Sequence, residues 1–279
     1  MDGASLVGRQ ALAVLRALLR PGTYAGAGRE LSLALVHAAL YPLGLTSVES
    51  LQEALRADRA VGAIDERLGA ATAGMPVILV HGYVMNRSAF LVMSRALARA
   101  GFRHVRSFEY PQFSRGVARV AGMLRTEVEA TLAASGAARC MIVGHSMGGV
   151  VARYYIQELG GQDTVDTLVT LGTPHDGTYT AAWGVGPAAL DMAYRSPLLE
   201  RLRAGARRAD VRYISYYSDL DVWVVPAVSA KLTVPALEAT NVRVRDIGHL
   251  SMLLSGEVIR SVVDYLSRPD TARPRLGHA

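Results

Sequence analysis

One stretch of the chain decides the fold, and from residue 140 to residue 155 it reads Cys140-Met141-Ile142-Val143-Gly144-His145-Ser146-Met147-Gly148-Gly149-Val150-Val151-Ala152-Arg153-Tyr154-Tyr155. An apolar run enters the sequence Gly-His-Ser-Met-Gly, and a segment typical of a helix follows directly. This order of strand, sharp turn and helix is the context that a nucleophile elbow requires. Such a turn raises the serine at the carboxyl end of a sheet and directs helix N–H groups at an oxygen that gains negative charge. We therefore interpret Ser146 as a candidate nucleophile.

From residue 76 onward, short apolar runs alternate with longer segments of helical period, which is typical of a parallel sheet buried on both faces. The predicted strands are residues 76–80, 104–108, 139–143, 167–171, 212–216 and 242–245. The predicted helices are residues 88–100, 117–134, 148–159, 188–203 and 257–266. We therefore expect an α/β architecture, a doubly wound and mostly parallel sheet of about six strands with helices on both sides.

The composition is that of a globular protein, since 51% of the 279 residues are hydrophobic and 19% are charged. The formal charge is +6, but the basic residues are spread along the chain without an aromatic-rich basic strand or a finger motif. We therefore expect no nucleic-acid partner. The single cysteine, Cys140, excludes an internal disulfide, and its place in an apolar run predicts a small buried side chain rather than a reactive thiol.

Residues 1–75 follow a different pattern and are predicted to form a helical N-terminal extension. Between residues 9 and 20, arginines fall on one helical stripe and apolar side chains on the opposite arc. A second apolar run, residues 31–41, stops at Pro42 and is shorter than the roughly 20 residues of an ordinary membrane span. Two alternatives stay open for this part of the chain: helices packed on the globule, or a membrane-surface anchor formed by residues 1–45.

The two ends of the chain allow two further predictions, one on location and one on flexibility. The N-terminal segment lacks the pattern of a plain signal peptide, which indicates a cytoplasmic or peripherally membrane-associated protein. Residues 269–279 are predicted to form a flexible tail.

A second loop is a candidate for the oxyanion hole. The first predicted strand ends in the sequence His81-Gly82-Tyr83-Val84. Gly82 allows the backbone to turn close to the site, so that the N–H of Tyr83 converges with that of Met147. We interpret His81 as a residue that fixes this loop by hydrogen bonds rather than as the catalytic base.

A serine nucleophile needs an imidazole base and a carboxylate that orients it, in the chain order Ser, Asp or Glu, His for this type of fold. His249 follows a late predicted strand and is the candidate base. His175, just past the fourth predicted strand, is a candidate for the pocket wall instead. Asp219 and Asp221 both follow the fifth predicted strand, and either is a candidate orienting acid.

Taken together, these motifs resemble those of bacterial lipases and esterases of the α/β-hydrolase superfamily, in particular the triacylglycerol lipase and esterase group. The matching pieces are Val80-His81-Gly82-Tyr83, Gly144-His145-Ser146-Met147-Gly148-Gly149, Leu171-Gly172-Thr173-Pro174-His175, Ser218-Asp219-Leu220-Asp221 and Gly248-His249-Leu250. The resemblance implies the α/β-hydrolase fold, with residues 76–268 as the catalytic domain.

The resemblance also implies roles for individual residues. Ser146 is the nucleophile, His249 the base and Asp221 the orienting acid, and the amides of Tyr83 and Met147 donate to the oxyanion. The preference for Asp221 over Asp219 rests on this resemblance. No metal and no organic cofactor is needed for this chemistry.

The stretch 177–211 is longer than a compact connection needs and has two open interpretations: a small cap that shields an acyl channel, or an ordinary crossover helix. Trp183 in this stretch and His175 just before it are the predicted substrate contacts. We expect an ester hydrolase acting on acyl or lipid esters. The alternatives are a thioesterase, acyltransferase or amidase built from the same parts, and a catalytically silent lipid-binding or membrane-docking protein. The pattern gives no oligomeric state.

Overall fold

The computed structural model describes residues 68–111 and 115–268 of the chain. The predictions for the basic segment 1–45, for nearly all of the extension 1–75 and for the tail 269–279 lie outside the described residues. The membrane-surface anchor therefore stays a prediction.

The described part of the chain forms one parallel sheet of six strands, in the spatial order β2-β1-β3-β4-β5-β6. The strands are β1 Val77–Val80, β2 Val105–Phe108, β3 Cys140–His145, β4 Val165–Leu171, β5 Arg212–Ser218 and β6 Thr240–Val244. All five neighbouring pairs are parallel. The predicted fold class is confirmed, and each predicted strand overlaps the observed one.

The described helices are α1 Ala70–Gly74, α2 Leu91–Arg99, α3 Val117–Ser135, α4 Met147–Glu158, α5 Pro187–Asp191, α6 Pro197–Ala204 and α7 Gly256–Ser267. A 3₁₀ turn at Arg87–Phe90 precedes α2, so the helix predicted from residue 88 begins a few residues later. Within the described ranges, no helix combines the length and the apolar character that crossing a membrane requires.

The single helix predicted at 188–203 is wrong, because the structure has two helices, α5 and α6, in its place. Arg195, between them, has a φ of 55°, which lies outside the helical region. Ser196 then caps α6 by accepting a hydrogen bond from the N–H of Leu199, and Pro197 occupies the first helical position, where its missing N–H costs nothing.

The core lies on both faces of the sheet. Ile78 and Val80 of β1 face one side, where α3 and α4 pack, and Val77 and Leu79 face the other, where α2 and α7 pack. All four of these side chains are fully buried, which explains why the strands read as unbroken apolar runs. Since all strands are parallel, the loops at their carboxyl ends gather at one edge of the sheet.

Helix α4 lies so close to β1 that position 148 has no space for a side chain. A Cβ on Gly148 would collide with the backbone carbonyl oxygens of Val80 and His81. We predict that Gly148→Ala lowers the free energy of unfolding by about 1–3 kcal/mol, because backbone atoms must shift to admit the methyl group. Urea denaturation measures the change.

Gly122, inside α3, is the matched control because a Cβ there would meet no atom within 4 Å. Gly122→Ala is expected to raise the free energy of unfolding by up to about 1 kcal/mol, through the higher helix propensity of alanine. Equal stability of Gly148→Ala and the unchanged protein would contradict the close approach of α4 to β1.

Candidate active site

Ser146 occupies the turn between β3 and α4. Its backbone has φ 54° and ψ −125°, a conformation that costs a non-glycine residue about 1–3 kcal/mol. The N–H of Ser146 donates to the carbonyl oxygen of Leu171 at 2.9 Å, which anchors the turn to the end of β4. The side chain is partly exposed. The chain thus has the strand, sharp turn and helix that the sequence predicts around this serine.

His249 and Asp221 form a close pair in the loops after β6 and β5. The distance from His249 Nδ1 to Asp221 Oδ2 is 2.7 Å, and the side chains are 6% and 0% exposed. The other carboxylate oxygen, Oδ1, accepts hydrogen bonds from the N–H groups of Trp223 and Val224, each at 2.9 Å. The carboxylate is therefore fixed in orientation, and it holds the proton of the imidazole on Nδ1, which leaves Nε2 as the basic nitrogen.

His145 connects this pair to the turn of Ser146. Its ring is fully buried, and its Nε2 donates a hydrogen bond to the carbonyl oxygen of His249 at 3.1 Å. The ring centroids of His145 and His249 are 4.6 Å apart. Because His145 directly precedes Ser146, the predicted nucleophile and the predicted base lie at the same edge of the sheet. Sequence reasoning missed this contact, although the signal, a histidine inside the Gly-x-Ser motif, was present.

Asp219, the alternative acid, points elsewhere. Its carboxylate pairs with the guanidinium of Arg243, and its side chain is 55% exposed. The structure therefore brings Asp221, and not Asp219, to the imidazole of His249.

The loop after β1 runs beside Ser146. A Cβ on Gly82 would lie 2.9 Å from the Cβ of Ser146, so the backbone of this loop passes very close to the serine. Tyr83 follows directly. Met147 is the first residue of α4, and N–H groups at this position lack an acceptor within the helix. Both predicted oxyanion donors thus belong to segments that border Ser146.

Glu109 and Tyr110, which directly follow β2, contact this loop. The hydroxyl of Tyr110 donates to the carbonyl oxygen of His81 at 2.6 Å, and the two rings stack at 4.2 Å. Glu109 Oε1 lies 3.3 Å from Nε2 of His81. The environment of His81 agrees with its interpretation as a residue that fixes the loop. Sequence reasoning missed Glu109 and Tyr110, because the end of β2 carries no motif.

The pKa values of these two supporting residues shift in directions that suit their contacts. Burial alone raises the pKa of Glu109, but the hydrogen bonds and charges of His81 and Arg87 outweigh it and lower the pKa below its ordinary value. Burial raises the pKa of Tyr110 well above its ordinary value. Glu109 is therefore a carboxylate at neutral pH, and Tyr110 keeps its proton as a hydrogen-bond donor.

The two predicted substrate contacts differ sharply in environment. Trp183, at the end of a 3₁₀ turn formed by Tyr179–Trp183, is 84% exposed. His175 is 1% exposed, and its Nε2 lies 3.1 Å from the hydroxyl of Thr170. Burial and the charge of Arg153 lower the pKa of His175 well below its ordinary value. The structure thus places His175 in the interior as a neutral side chain, and its contact with a substrate stays a prediction.

Exposed apolar side chains lie in loops at the same edge of the sheet as Ser146. We call this set the apolar rim: Val84, Tyr179, Trp183, Val185, Val222 and Trp223. They come from the loops after β1, β4 and β5. The hydroxyl of Tyr83 donates to the carbonyl oxygen of Val185 at 2.6 Å and accepts from its N–H at 2.8 Å, and the hydroxyl of Thr178 donates to the carbonyl oxygen of Trp223 at 2.9 Å. These contacts tie the three loops together.

The single thiol, Cys140, is fully buried at the start of β3, and burial raises its pKa to about 12. This confirms the expectation of a buried cysteine. Among residues 68–111 and 115–268, no three histidine, cysteine, aspartate or glutamate side chains gather in a way that could hold a metal ion.

The fold and the family comparison together define the class of protein, an α/β-hydrolase. The family model described as palmitoyl protein thioesterase matches residues 76–219, more than half of the chain. The chain belongs to this family. The matched range contains Ser146 and ends before Asp221 and His249.

Solved structures share the fold at low sequence identity. The mature lipase BlEst2 of Bacillus licheniformis is 16% identical, with a TM-score of 0.60 over 74% of this chain and 96% of that chain. A gene product of Listeria innocua is 17% identical, with a TM-score of 0.57 over 71% and 96% of the two chains. A monoacylglycerol lipase of Paleococcus ferrophilus is 14% identical, with a TM-score of 0.55 over 70% and 96%.

Proposed function

We propose that this protein is a serine hydrolase that cleaves the esters or thioesters of apolar acyl groups. The observation that carries the proposal is the His249 Nδ1 to Asp221 Oδ2 contact of 2.7 Å, at the same sheet edge as the strained Ser146. An imidazole held by a buried carboxylate beside an elbow serine is the arrangement that activates a hydroxyl for acyl transfer.

The proposed reaction has two halves. Ser146 Oγ attacks the acyl carbonyl while its proton passes to Nε2 of His249, and the N–H groups of Tyr83 and Met147 hold the resulting oxyanion. Collapse breaks the bond to the alcohol or thiol, which leaves with the proton from His249. Water then attacks the acyl-serine and loses a proton to His249, and the bond from the acyl carbon to Ser146 Oγ breaks as His249 returns that proton to Oγ and the acid is released. Asp221 stabilises the imidazolium in both halves, and all the groups required are side chains, amides and water.

The apolar rim supports an apolar acyl group as substrate. Several large hydrophobic side chains that stay exposed around one site are typical of surfaces that contact an apolar ligand. The family description points to palmitoyl thioesters, and the solved relatives include lipases. An oxygen ester and a thioester of the same acyl chain need the same nucleophile and oxyanion donors, so both belong to the proposed substrate class.

The first prediction concerns the nucleophile. Ser146→Ala is expected to abolish covalent labelling by a fluorophosphonate probe and hydrolysis of nitrophenyl esters, because only an activated hydroxyl reacts with either. In-gel fluorescence and absorbance assays measure the two. Ser135→Ala, at the end of α3, serves as the control and should label like the unchanged protein. An unlabelled wild-type chain would favour the catalytically silent lipid-binding protein instead.

The second prediction separates the two aspartates. Asp221→Asn is expected to lower kcat by about 10⁴-fold, because an amide at this position favours the wrong tautomer of the imidazole. Asp219→Asn makes the same chemical change two residues away at a half-exposed ion pair and should leave kcat nearly unchanged. Steady-state kinetics decide between them, and a large loss in Asp219→Asn alone would overturn the assignment.

The third prediction concerns the substrate. Trp183→Ala is expected to raise KM for hexadecanoyl esters and thioesters about fivefold, because the acyl chain loses apolar contact area. The acetyl compounds, which do not reach the apolar rim, are the internal control. A series of acyl lengths as matched oxygen esters and thioesters gives the measurement. An equal effect on acetyl and hexadecanoyl substrates would remove the apolar rim from the proposed binding surface.

A further inference from the structure

The Tyr83 amide belongs to a loop between two regular elements, whereas Met147 is the first residue of helix α4. It runs from the end of β1 at residue 80 to the 3₁₀ turn that begins at Arg87, and Val84 within it has a φ of 55°. An oxyanion donor is effective only when it is held within about 0.5 Å of its productive position. Contacts with neighbouring segments therefore help to fix its position, and the hydrogen bonds between the Tyr83 hydroxyl and Val185 are one set of them.

One carboxylate contacts both ends of this loop. Oε1 of Glu109 lies 3.3 Å from Nε2 of His81, at the start of the loop. Oε2 accepts a hydrogen bond from the N–H of Arg87 at 3.0 Å, at the end of the loop, and lies 3.9 Å from Nε of the same residue. The carboxylate of Glu109 thus links the two ends of the loop, one through each of its oxygens.

The position of Glu109 follows from the sheet. Val80 of β1 pairs with Phe108 of β2, so residue 109 leaves its strand beside residue 81. Tyr110 continues the support, since its hydroxyl donates to the carbonyl oxygen of His81 at 2.6 Å and also lies 3.3 Å from that of Gly82. At Gly82 the loop passes so close to the serine that an added Cβ would lie 2.9 Å from the Cβ of Ser146.

We propose that Glu109 is a positioning residue for the oxyanion hole: by holding His81 and Arg87 at a fixed separation, it places the N–H of Tyr83 opposite that of Met147. The proposal rests on the proposed hydrolase function. Glu109 does not touch the reacting atoms, and it acts only through the loop. The sequence motif of the loop does not include Glu109.

The proposed role concerns the transition state more than the stability of the fold. The side chain of Glu109 is 36% exposed, and ion pairs at such sites add little to stability. A donor that drifts by a fraction of an ångström weakens its bond to the oxyanion, which exists only after the nucleophile attacks. The loss of Glu109 should therefore lower kcat and leave KM unchanged.

Glu109→Gln is the test variant. The amide removes the negative charge of the carboxylate and leaves one acceptor oxygen in place of two, so the contacts to the two ends of the loop become weaker. Glu129→Gln is the matched control, because Glu129 forms an exposed ion pair with Arg125 along α3. Tyr110→Phe is a second variant that removes the hydrogen bond to His81 while keeping the ring.

Two quantities are measured. The first is kcat, normalised to the concentration of active sites found by titration with the fluorophosphonate. The second is the affinity for an alkyl trifluoromethyl ketone, which forms an oxyanion adduct. Glu109→Gln and Tyr110→Phe are expected to lower kcat about tenfold, with KM unchanged and with a parallel loss of ketone affinity. Glu129→Gln should match the unchanged protein. A wild-type kcat in Glu109→Gln, or a rise in KM alone, would overturn the proposal.

Hydrogen exchange followed by mass spectrometry tests, without any catalytic readout, whether Glu109 stabilises the loop. Amides of residues 82–87 should exchange faster in Glu109→Gln than in Glu129→Gln, while the rest of the sheet stays protected. Unchanged exchange in this loop would overturn the inference even in an active enzyme. A wild-type chain that neither labels nor hydrolyses esters, yet shows the faster exchange, would instead overturn the proposed function alone.

Discussion

Helix α4 meets strand β1 without room for a single methyl group at residue 148, and this contact sets the geometry of the whole carboxyl edge of the sheet. Just before this contact the chain turns from β3 into α4 at a single residue, Ser146, whose φ is 54°. The strain is held by the packing of α4 and by the bond from the N–H of Ser146 to Leu171. A relaxed turn at this position would carry the hydroxyl away from the loops that surround it.

The polar groups around Ser146 depend on one another in a chain of contacts. Asp221 is fixed by two backbone N–H groups before it accepts from His249, and the carbonyl oxygen of His249 is in turn held by His145. Buried polar groups are expensive unless they are paired, so each of these contacts stabilises the next. The pairing of His249 with Asp221 therefore depends on the loop after β5 as much as on the loop after β6.

The sequence reveals the sheet and the serine because both are local patterns. Buried parallel strands read as apolar runs, and the elbow reads as glycines around a serine between a strand and a helix. The choice between Asp221 and Asp219 is different: they stand two residues apart in one turn, and only the path of the backbone decides which carboxylate reaches the imidazole. Glu109 is 28 residues from His81 along the chain, and no local pattern joins them. The break between α5 and α6 escaped prediction because the apolar period continues across Arg195, while the capping serine and the proline after it were the signals to follow.

The crystal structure of the protein after reaction with an alkyl phosphonate is the most direct test of the account, because the adduct imitates the tetrahedral intermediate. The account predicts phosphorus bonded to Oγ of Ser146 and one phosphonyl oxygen within roughly 2.7–3.1 Å of the amide nitrogens of both Tyr83 and Met147. It also predicts Nε2 of His249 within hydrogen-bonding distance of the Ser146 Oγ or the leaving-group oxygen. A phosphonate attached to another residue, or an imidazole of His249 that faces away from Ser146, would contradict it.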